Sequence, residues 1–291
     1  MTERTVPGAA GGTLYVVATP IGNLADITLR ALDTLRAAPL IACEDTRVTR
    51  RLLDRHGIEG RLVSFHARSG PGRLAELLDH LRAGEDLALT TDAGTPGVSD
   101  PGEQLVAAWA SEGGTVVPIP GASAVLAAVS ATAVAGPWWV FEGFLPRAGR
   151  ARRERLARLA ADARGAVIYE APTRLERTLR DLAAACGPDR SAAVARELTK
   201  LHEQIVRGDL GSLTRALESG TVPTRGEVVI VLGELSGAPR PTEAPADAVE
   251  AALADVGRRV ALGERRSDAA RAVAAATGIA RRDLYRAKDG S

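Results

Sequence analysis

Between residues 14 and 135 the sequence alternates between two periods, and this constrains the fold more than any single motif. Short runs of Leu, Val, Ile, Ala and Thr at 14–18, 40–43, 62–65, 87–90 and 115–119 have the length and continuous apolarity of buried strands. The intervening segments 26–37, 46–56, 72–83 and 101–113 carry apolar residues three and four apart. In the first of them Ile27, Leu29, Ala31, Leu32 and Leu35 form one face and leave Arg30, Asp33 and Arg36 for solvent. Strands buried on both faces and separated by helices require a largely parallel sheet with helices packed on it.

After Gly136-Pro137 the pattern restarts. Strands are expected at 138–144, 166–170, 192–195 and 227–232, with helices at 151–163, 173–186 and 209–219. The expected organisation is a first α/β domain over 1–135, a second over 136–235, and a linker and basic helical tail over 236–291. Gly237, Pro239, Pro241 and Pro245 mark the linker. Two tail helices, 264–276 and 280–287, flank Thr277-Gly278-Ile279 and carry Arg265, Arg266, Arg271, Arg281, Arg282 and Arg286. That pair reads either as a helix-turn-helix-like module or as a capping helical pair with solvated arginines.

Composition narrows the function classes. The longest apolar stretch, 125–134, is short of the roughly 20 residues a membrane helix needs, so no membrane partner is expected. Residues 1–12 show no basic region followed by an apolar run and read as a frayed tail, which points to a cytoplasmic protein. Cys43 and Cys186 are far apart and lack metal-ligand or redox spacing, so they read as reduced thiols and no metal is expected. Net charge is +1, with Lys200 and Lys288 the only lysines. Any nucleic-acid contact must therefore come from local patches. Aromatics are 3% of the chain, too few for a base-stacking sheet.

Three loops follow strands in the first half, where parallel sheets bind ligands. The first is Ala18-Thr19-Pro20-Ile21-Gly22-Asn23-Leu24. The second, residues 91–102, combines Asp92, Gly94, Thr95, Gly97, Ser99 and Asp100. There Asp92 is placed to accept ribose hydroxyls, and Asp100-Pro101 has the form of a helix cap followed by proline at the first helical position. In the third, Pro120-Gly121-Ala122-Ser123-Ala124, Ser123 is a helix cap, a ligand contact, or both. Neither GxGxxG nor GxxxxGK[ST] occurs and no lysine lies near these loops, which disfavours a phosphate cradle. An adenosyl ligand without phosphates fits better, and the sulfonium and ammonium of S-adenosylmethionine would suit acidic walls.

The run Val17-Ala18-Thr19-Pro20-Ile21-Gly22-Asn23-Leu24-Ala25-Asp26-Ile27-Thr28 resembles the opening of the ribosomal RNA small subunit methyltransferase I family, a branch of the tetrapyrrole methylases. Further likenesses follow in order: Glu44-Asp45-Thr46-Arg47, Asp92-Ala93-Gly94-Thr95-Pro96, Ser99-Asp100-Pro101-Gly102, Pro120-Gly121-Ala122-Ser123-Ala124, Phe141-Glu142-Gly143-Phe144-Leu145-Pro146, Glu170-Ala171-Pro172-Thr173-Arg174 and Arg196-Glu197-Leu198-Thr199-Lys200. Pro20-Ile21-Gly22-Asn23 stands where tetrapyrrole-acting relatives carry GxGPGD, which points to the RNA branch. One departure is His66-Ala67-Arg68-Ser69, where the family often has His-Glu-His-Asn; only His66 remains, and it reads as an ordinary loop histidine.

The resemblance implies a two-domain tetrapyrrole-methylase-like α/β fold with parallel or mixed sheets. It also implies a kidney-shaped homodimer, with S-adenosylmethionine held in the cleft between the domains. By position, Pro20, Asp92, Gly94, Thr95, Ser123, Tyr169 and Glu170 inherit cofactor contacts. The implied substrate is the 2′-hydroxyl of a cytidine in the decoding region of 16S ribosomal RNA, as free RNA or in the assembled small subunit, with cytidine 1402 the family's target.

A ribose hydroxyl is a weak nucleophile, so a nearby base should help its proton leave. Glu44, Asp45, Glu170, Glu197 and Lys200 are the candidates. Lys200 as a base would need a strongly depressed pKa, and phosphate binding is its other role. Arg47, Arg174 and Arg196 are candidate phosphate ligands, with a salt bridge to Glu44 or Asp45 the competing reading for Arg47. Arg147, Arg150, Arg152, Arg153, Arg155 and Arg158 form a second basic cluster, facing either RNA or solvent. The alternatives to an RNA methylase are a small-molecule methylase on the same scaffold and a non-catalytic RNA-binding factor.

Overall fold

The computed structural model describes residues 11–235, 246–277, 279 and 284. The expected 236–245 linker, all but residues 11 and 12 of the N-terminal tail, and all but Leu284 of the second tail helix lie outside them. The described residues fall into two compact units, one ending at Leu235 and one beginning at Ala246.

In the first unit, β1 (Thr13–Val17), β2 (Leu40–Cys43), β3 (Leu62–Ser64), β4 (Leu87–Leu89) and β5 (Thr115–Ile119) form a sheet in the order β3-β2-β4-β1-β5. Every pairing in it is parallel. The connections include α1 (Leu29–Ala37), α2 (Thr46–Arg55), α3 (Pro71–Arg82) and α4 (Glu103–Ser111). Strand alternation divides the side chains between two cores. Leu40, Ala42, Leu87 and Leu89 pack with Leu77, Leu81, Leu105 and Trp109 of α3 and α4. Ile41 and Ala88 pack with Ala31, Leu32, Leu35 and Leu53 of α1 and α2. Each fully buried Leu contributes about 1.5–3 kcal/mol, so a one-residue slip, which exchanges the faces, is strongly disfavoured.

Two helix starts differ from expectation. α1 begins at Leu29 because Thr28 caps it, accepting from the Ala31 N–H at 3.2 Å, while Leu24–Asp26 form a separate 3-10 turn. α4 begins at Glu103, so Asp100-Pro101 is neither the cap nor the first turn. Gly102 takes the N-cap position at φ +131°, and a Cβ there would lie 2.8 Å from Leu89 Cδ2. The loop must pass too close over Leu89 for an ordinary capping residue.

The second sheet contains β6 (Trp139–Phe144), β7 (Gly165–Glu170), β8 (Ser191–Arg196), β9 (Gln204–Asp209) and β10 (Val228–Leu232), ordered β6-β7-β10-β8-β9. β6 and β7 are parallel and the other neighbours antiparallel, so this sheet is mixed. One face packs on α6 (Gly149–Ala161), α7 (Leu175–Cys186) and α8 (Leu210–Glu218) through Ile168, Val194, Ile230, Leu179 and Leu213. The other face, with Val167, Ala195, Val229 and Val231, packs on Val125 and Ala128 of α5 (Ala124–Thr132) and on Ile21 of the loop after β1. Arg207 of β9 reinforces this junction by donating to the Ala131 and Thr132 carbonyls. The second sheet is thereby fixed over the carboxyl edge of the first.

The second unit pairs α9 (Ala246–Ala261) with α10 (Arg266–Thr277) around Ala252, Val256, Ala270, Val273, Ile279 and Leu284. Its arginines are partly neutralised: Arg258 pairs with Asp255, and Arg271 with Asp268. No described helix is long and apolar enough to cross a membrane.

Candidate active site

Parallel pairing sends the loops after β1, β2, β4 and β5 to one edge, where hydrogen bonds join them. Thr19 donates its N–H to the Gly94 carbonyl at 2.8 Å and accepts the Gly94 N–H at 3.0 Å. The Thr19 hydroxyl donates to the Thr91 carbonyl at 3.1 Å, and the Thr95 hydroxyl to the Ala122 carbonyl at 3.2 Å. The Asp45 N–H donates to Asp92 Oδ1 at 2.9 Å. Gly94 holds φ +79°, which suits it to this crossing of two loops.

Between these loops and the second sheet lies a cavity of about 380 Å³, within the usual range for small-ligand sites. Gly94, Thr95, Ser123, Tyr169 and Glu170 line it, whereas Pro20 and Asp92 sit on the bounding loops without facing it. Ser123 occupies the N-cap of α5, yet its hydroxyl makes no capping bond. Tyr169 stands edge-on to Phe141 and Phe144, with ring centroids 4.9 and 5.6 Å away. Burial, then the charge of Asp100, push its phenol up to about 12.

The Glu170 carboxylate is already engaged. It accepts from the Thr178 hydroxyl at 2.6 Å and from the Ala171 N–H at 2.8 Å, and pairs with Arg174 Nε at 3.3 Å. Thr178 in turn accepts from the buried Arg152 at 3.0 Å. Arg152 also bonds Asp181 and the Pro146 carbonyl, and Arg174 the Leu145 carbonyl. This network fixes the 144–146 and 170–174 turns at the cavity wall.

Negative charge gathers at the first-half side. Burial, then repulsion from Asp92, raises the Glu44 carboxyl above its ordinary range. Burial likewise raises Asp92, against the pull of the Asp45 N–H. Asp100, which lines the cavity, is pushed up to about 7 by burial and by the charges of Glu44 and Asp92. Asp45 goes the other way, down to about 2, because Arg47 grips both its oxygens, with Nη2–Oδ2 at 2.6 Å. Arg47 therefore makes the salt bridge considered for it while its side chain stays 84% exposed. His66 closes a tight turn, its Nδ1 accepting from the Arg68 N–H at 3.1 Å.

Across the cavity, Glu197 and Thr199 hold φ +52° and +66° in the turn that presents Lys200. Lys200 Nζ pairs with Glu197 at 2.9 Å and Glu227 at 3.2 Å. Burial opposes its charge, but the Glu197 hydrogen bond and the Glu227 carboxylate outweigh it and hold the ammonium above its usual range. Its stem lies over the first loop: a Cβ on Gly22 would fall 2.4 Å from Lys200 Cγ.

Several expected phosphate ligands are committed elsewhere. Arg196 is buried and donates to the Arg225 and His202 carbonyls, and Arg174 is held as described. In the 147–158 cluster Arg152 is buried and Arg155 pairs with Glu142, while Arg150, paired with Glu154, stays exposed together with Arg147, Arg153 and Arg158. Sequence reasoning missed Asp100, Phe144 and Glu227 as wall residues. The two carboxylates of the second loop were visible, but the Asp-Pro pair made Asp100 read as a helix cap.

Two sheets with a carboxylate-rimmed cavity at the edge of the parallel one form a small-ligand site, and the family of the chain makes it that of a methyl-transferring enzyme. Residues 13–214 match the family described as Tetrapyrrole (Corrin/Porphyrin) Methylases. Cobalt precorrin-4 methyltransferase shares the fold at a TM-score of 0.58 and 20% identity, over 78% of this chain and 97% of that one. Thermus thermophilus uroporphyrin-III C-methyl transferase, solved in complex with S-adenyl homocysteine, shares it at 0.55 and 22%, over 77% and 98%. Within that class the chain belongs to the ribosomal RNA small subunit methyltransferase I family of S-adenosylmethionine-dependent enzymes. It is 45% identical to the Synechocystis sp. protein of that name over 94% of this chain and 96% of that one, and 42% identical to the Xylella fastidiosa protein over 94% and 98%.

Proposed function

We propose that this protein transfers a methyl group from S-adenosylmethionine to the ribose 2′-hydroxyl of a cytidine in the decoding region of 16S ribosomal RNA, cytidine 1402. On this reading it acts in the cytoplasm, as a homodimer, on RNA or on the assembled small subunit. The observation that carries the reading is the meeting of the three glycine-containing loops at one cavity, in a chain closely related to proteins named for ribosomal RNA methylation. The wall chemistry fits the donor: it is largely apolar, has no lining lysine or arginine, and is flanked by Glu44, Asp92 and Asp100. Such a wall favours a cationic adenosyl ligand over a phosphorylated one.

Bound there, S-adenosylmethionine supplies an already activated methyl group, so the chain's task is chiefly alignment. Gly94, Thr95, Ser123 and Tyr169 would hold the donor, with Pro20 and Asp92 shaping the loops behind them. Glu170 would fix the wall through Thr178 and Arg174. Glu44 and Asp45 organise the loop after β2. Lys200, kept protonated, and Arg47 would bind RNA phosphates.

Mass mapping of 16S ribosomal RNA from cells lacking the protein tests the reading, and loss of one cytidine ribose methyl is expected. An unchanged methylation map, or methylation of a porphyrinoid without RNA, would overturn it. Isothermal calorimetry with S-adenosylmethionine should show binding heat, and sedimentation should give a dimer mass.

A further inference from the structure

Four titratable side chains line the cavity: Asp100, Tyr169, Glu170 and Glu227. Glu170 has its oxygens engaged by Thr178, Ala171 and Arg174. Glu227 faces largely outward, with its side chain 71% exposed, and is paired with Lys200. Tyr169 is a phenol whose ionisation burial has moved further from neutrality. Among the described residues, no hydrogen-bond or ion-pair partner reaches the Asp100 carboxylate.

Its backbone setting is unusual. Ser99, the residue before it, is a non-glycine at φ +65°, and Gly97 and Gly102 on either side hold φ +83° and +131°. A non-glycine residue there is strained and persists only where the surroundings impose it. Here it turns the chain so that Asp100 borders the cavity instead of capping α4.

We propose that Asp100 is the catalytic residue that accepts the proton of the methylated hydroxyl. This rests on the reading of the reaction as methyl transfer to a ribose hydroxyl. As the oxygen's electron pair forms the bond to the methyl carbon, the carbon–sulfur bond breaks and its pair stays on sulfur. The hydroxyl proton passes to the Asp100 carboxylate, which later releases it to water. The titratable groups that bear on Asp100 are Glu44 just after β2, Asp92 after β4 and the phenol Tyr169 on β7. Arg47 acts on Asp92, and His66 on Glu44. The resulting proton affinity near neutrality matches what a general base needs.

The test uses the full chain with assembled small subunits lacking the modification. Single-turnover rates are measured between about pH 6 and 8, and donor affinity separately by calorimetry. The wild-type rate should fall as pH drops through about 7, because the active form is the unprotonated carboxylate. D100N should lower the rate at least about a hundredfold and lose that acid limb, with donor affinity within about threefold of wild type. D100E should keep the limb, and E44Q should move it to lower pH by removing one repelling charge. A pH-independent wild-type rate would overturn the proposal. So would a D100N rate within about threefold of wild type, or a loss of donor affinity large enough to account for the slower rate. A wild-type protein that binds the donor but methylates no ribose overturns the reaction itself, and the wild-type arm reports this before any variant is made.

Discussion

Thr178 sits between two charged side chains, donating to Glu170 and accepting from Arg152, all three buried. Its replacement by Val keeps the shape and leaves both neighbours one partner short. T178V should therefore destabilise by about 1–3 kcal/mol, read as a lower urea midpoint at unchanged slope, and an unshifted midpoint would mean the chain carries no weight. Outside the cavity wall, Lys200 and Gly22 form a contact with almost no slack. K200A and R47A should each leave donor affinity intact and weaken methylation of small subunits. G22A should do the same as K200A, because its new methyl displaces the Lys200 stem from Glu197 and Glu227. Unchanged turnover in K200A and R47A would remove both cations from the site.

At the scale of elements, legibility followed burial. The strands of the first sheet stand out because both faces are covered, which makes them continuous apolar runs. β9 was missed for the opposite reason. It is an edge strand whose Gln204, Arg207 and Asp209 interrupt the apolar signal, and its pairing with β8 is set by tertiary contact. The start of α4 was misread because Asp-Pro is a common capping pair, and nothing local in the sequence reveals the approach of Leu89 to Gly102. α5 was legible as a helix, but not as the element that joins the two sheets. Its C-cap is Ala133, an exposed residue at φ +55°. A glycine there avoids the steric penalty of the left-handed conformation, about 1 kcal/mol, so A133G should raise the denaturation midpoint slightly. A lower midpoint would mean that backbone entropy outweighs relief of strain.

For the molecule as a whole, half of the site could be read in advance and half could not. Parallel topology alone predicts that the loops carrying Pro20, Asp92 and Ser123 share a rim, and they do. The facing wall, with Phe144 and Glu227, depends on how the second sheet seats on α5, a packing relation with no local signature. Every residue lining the cavity nonetheless lies between Ile21 and Val229, while the 246–284 unit has its own core. A chain ending at residue 236 should consequently bind S-adenosylhomocysteine within about twofold of the full-length affinity by calorimetry, a difference below about 0.5 kcal/mol. If the helical unit instead grips RNA, the shortened chain should need more small subunit to reach half-maximal methylation, with its maximal rate preserved. A fall in donor affinity on truncation would mean that the donor site extends beyond the residues that wall the cavity.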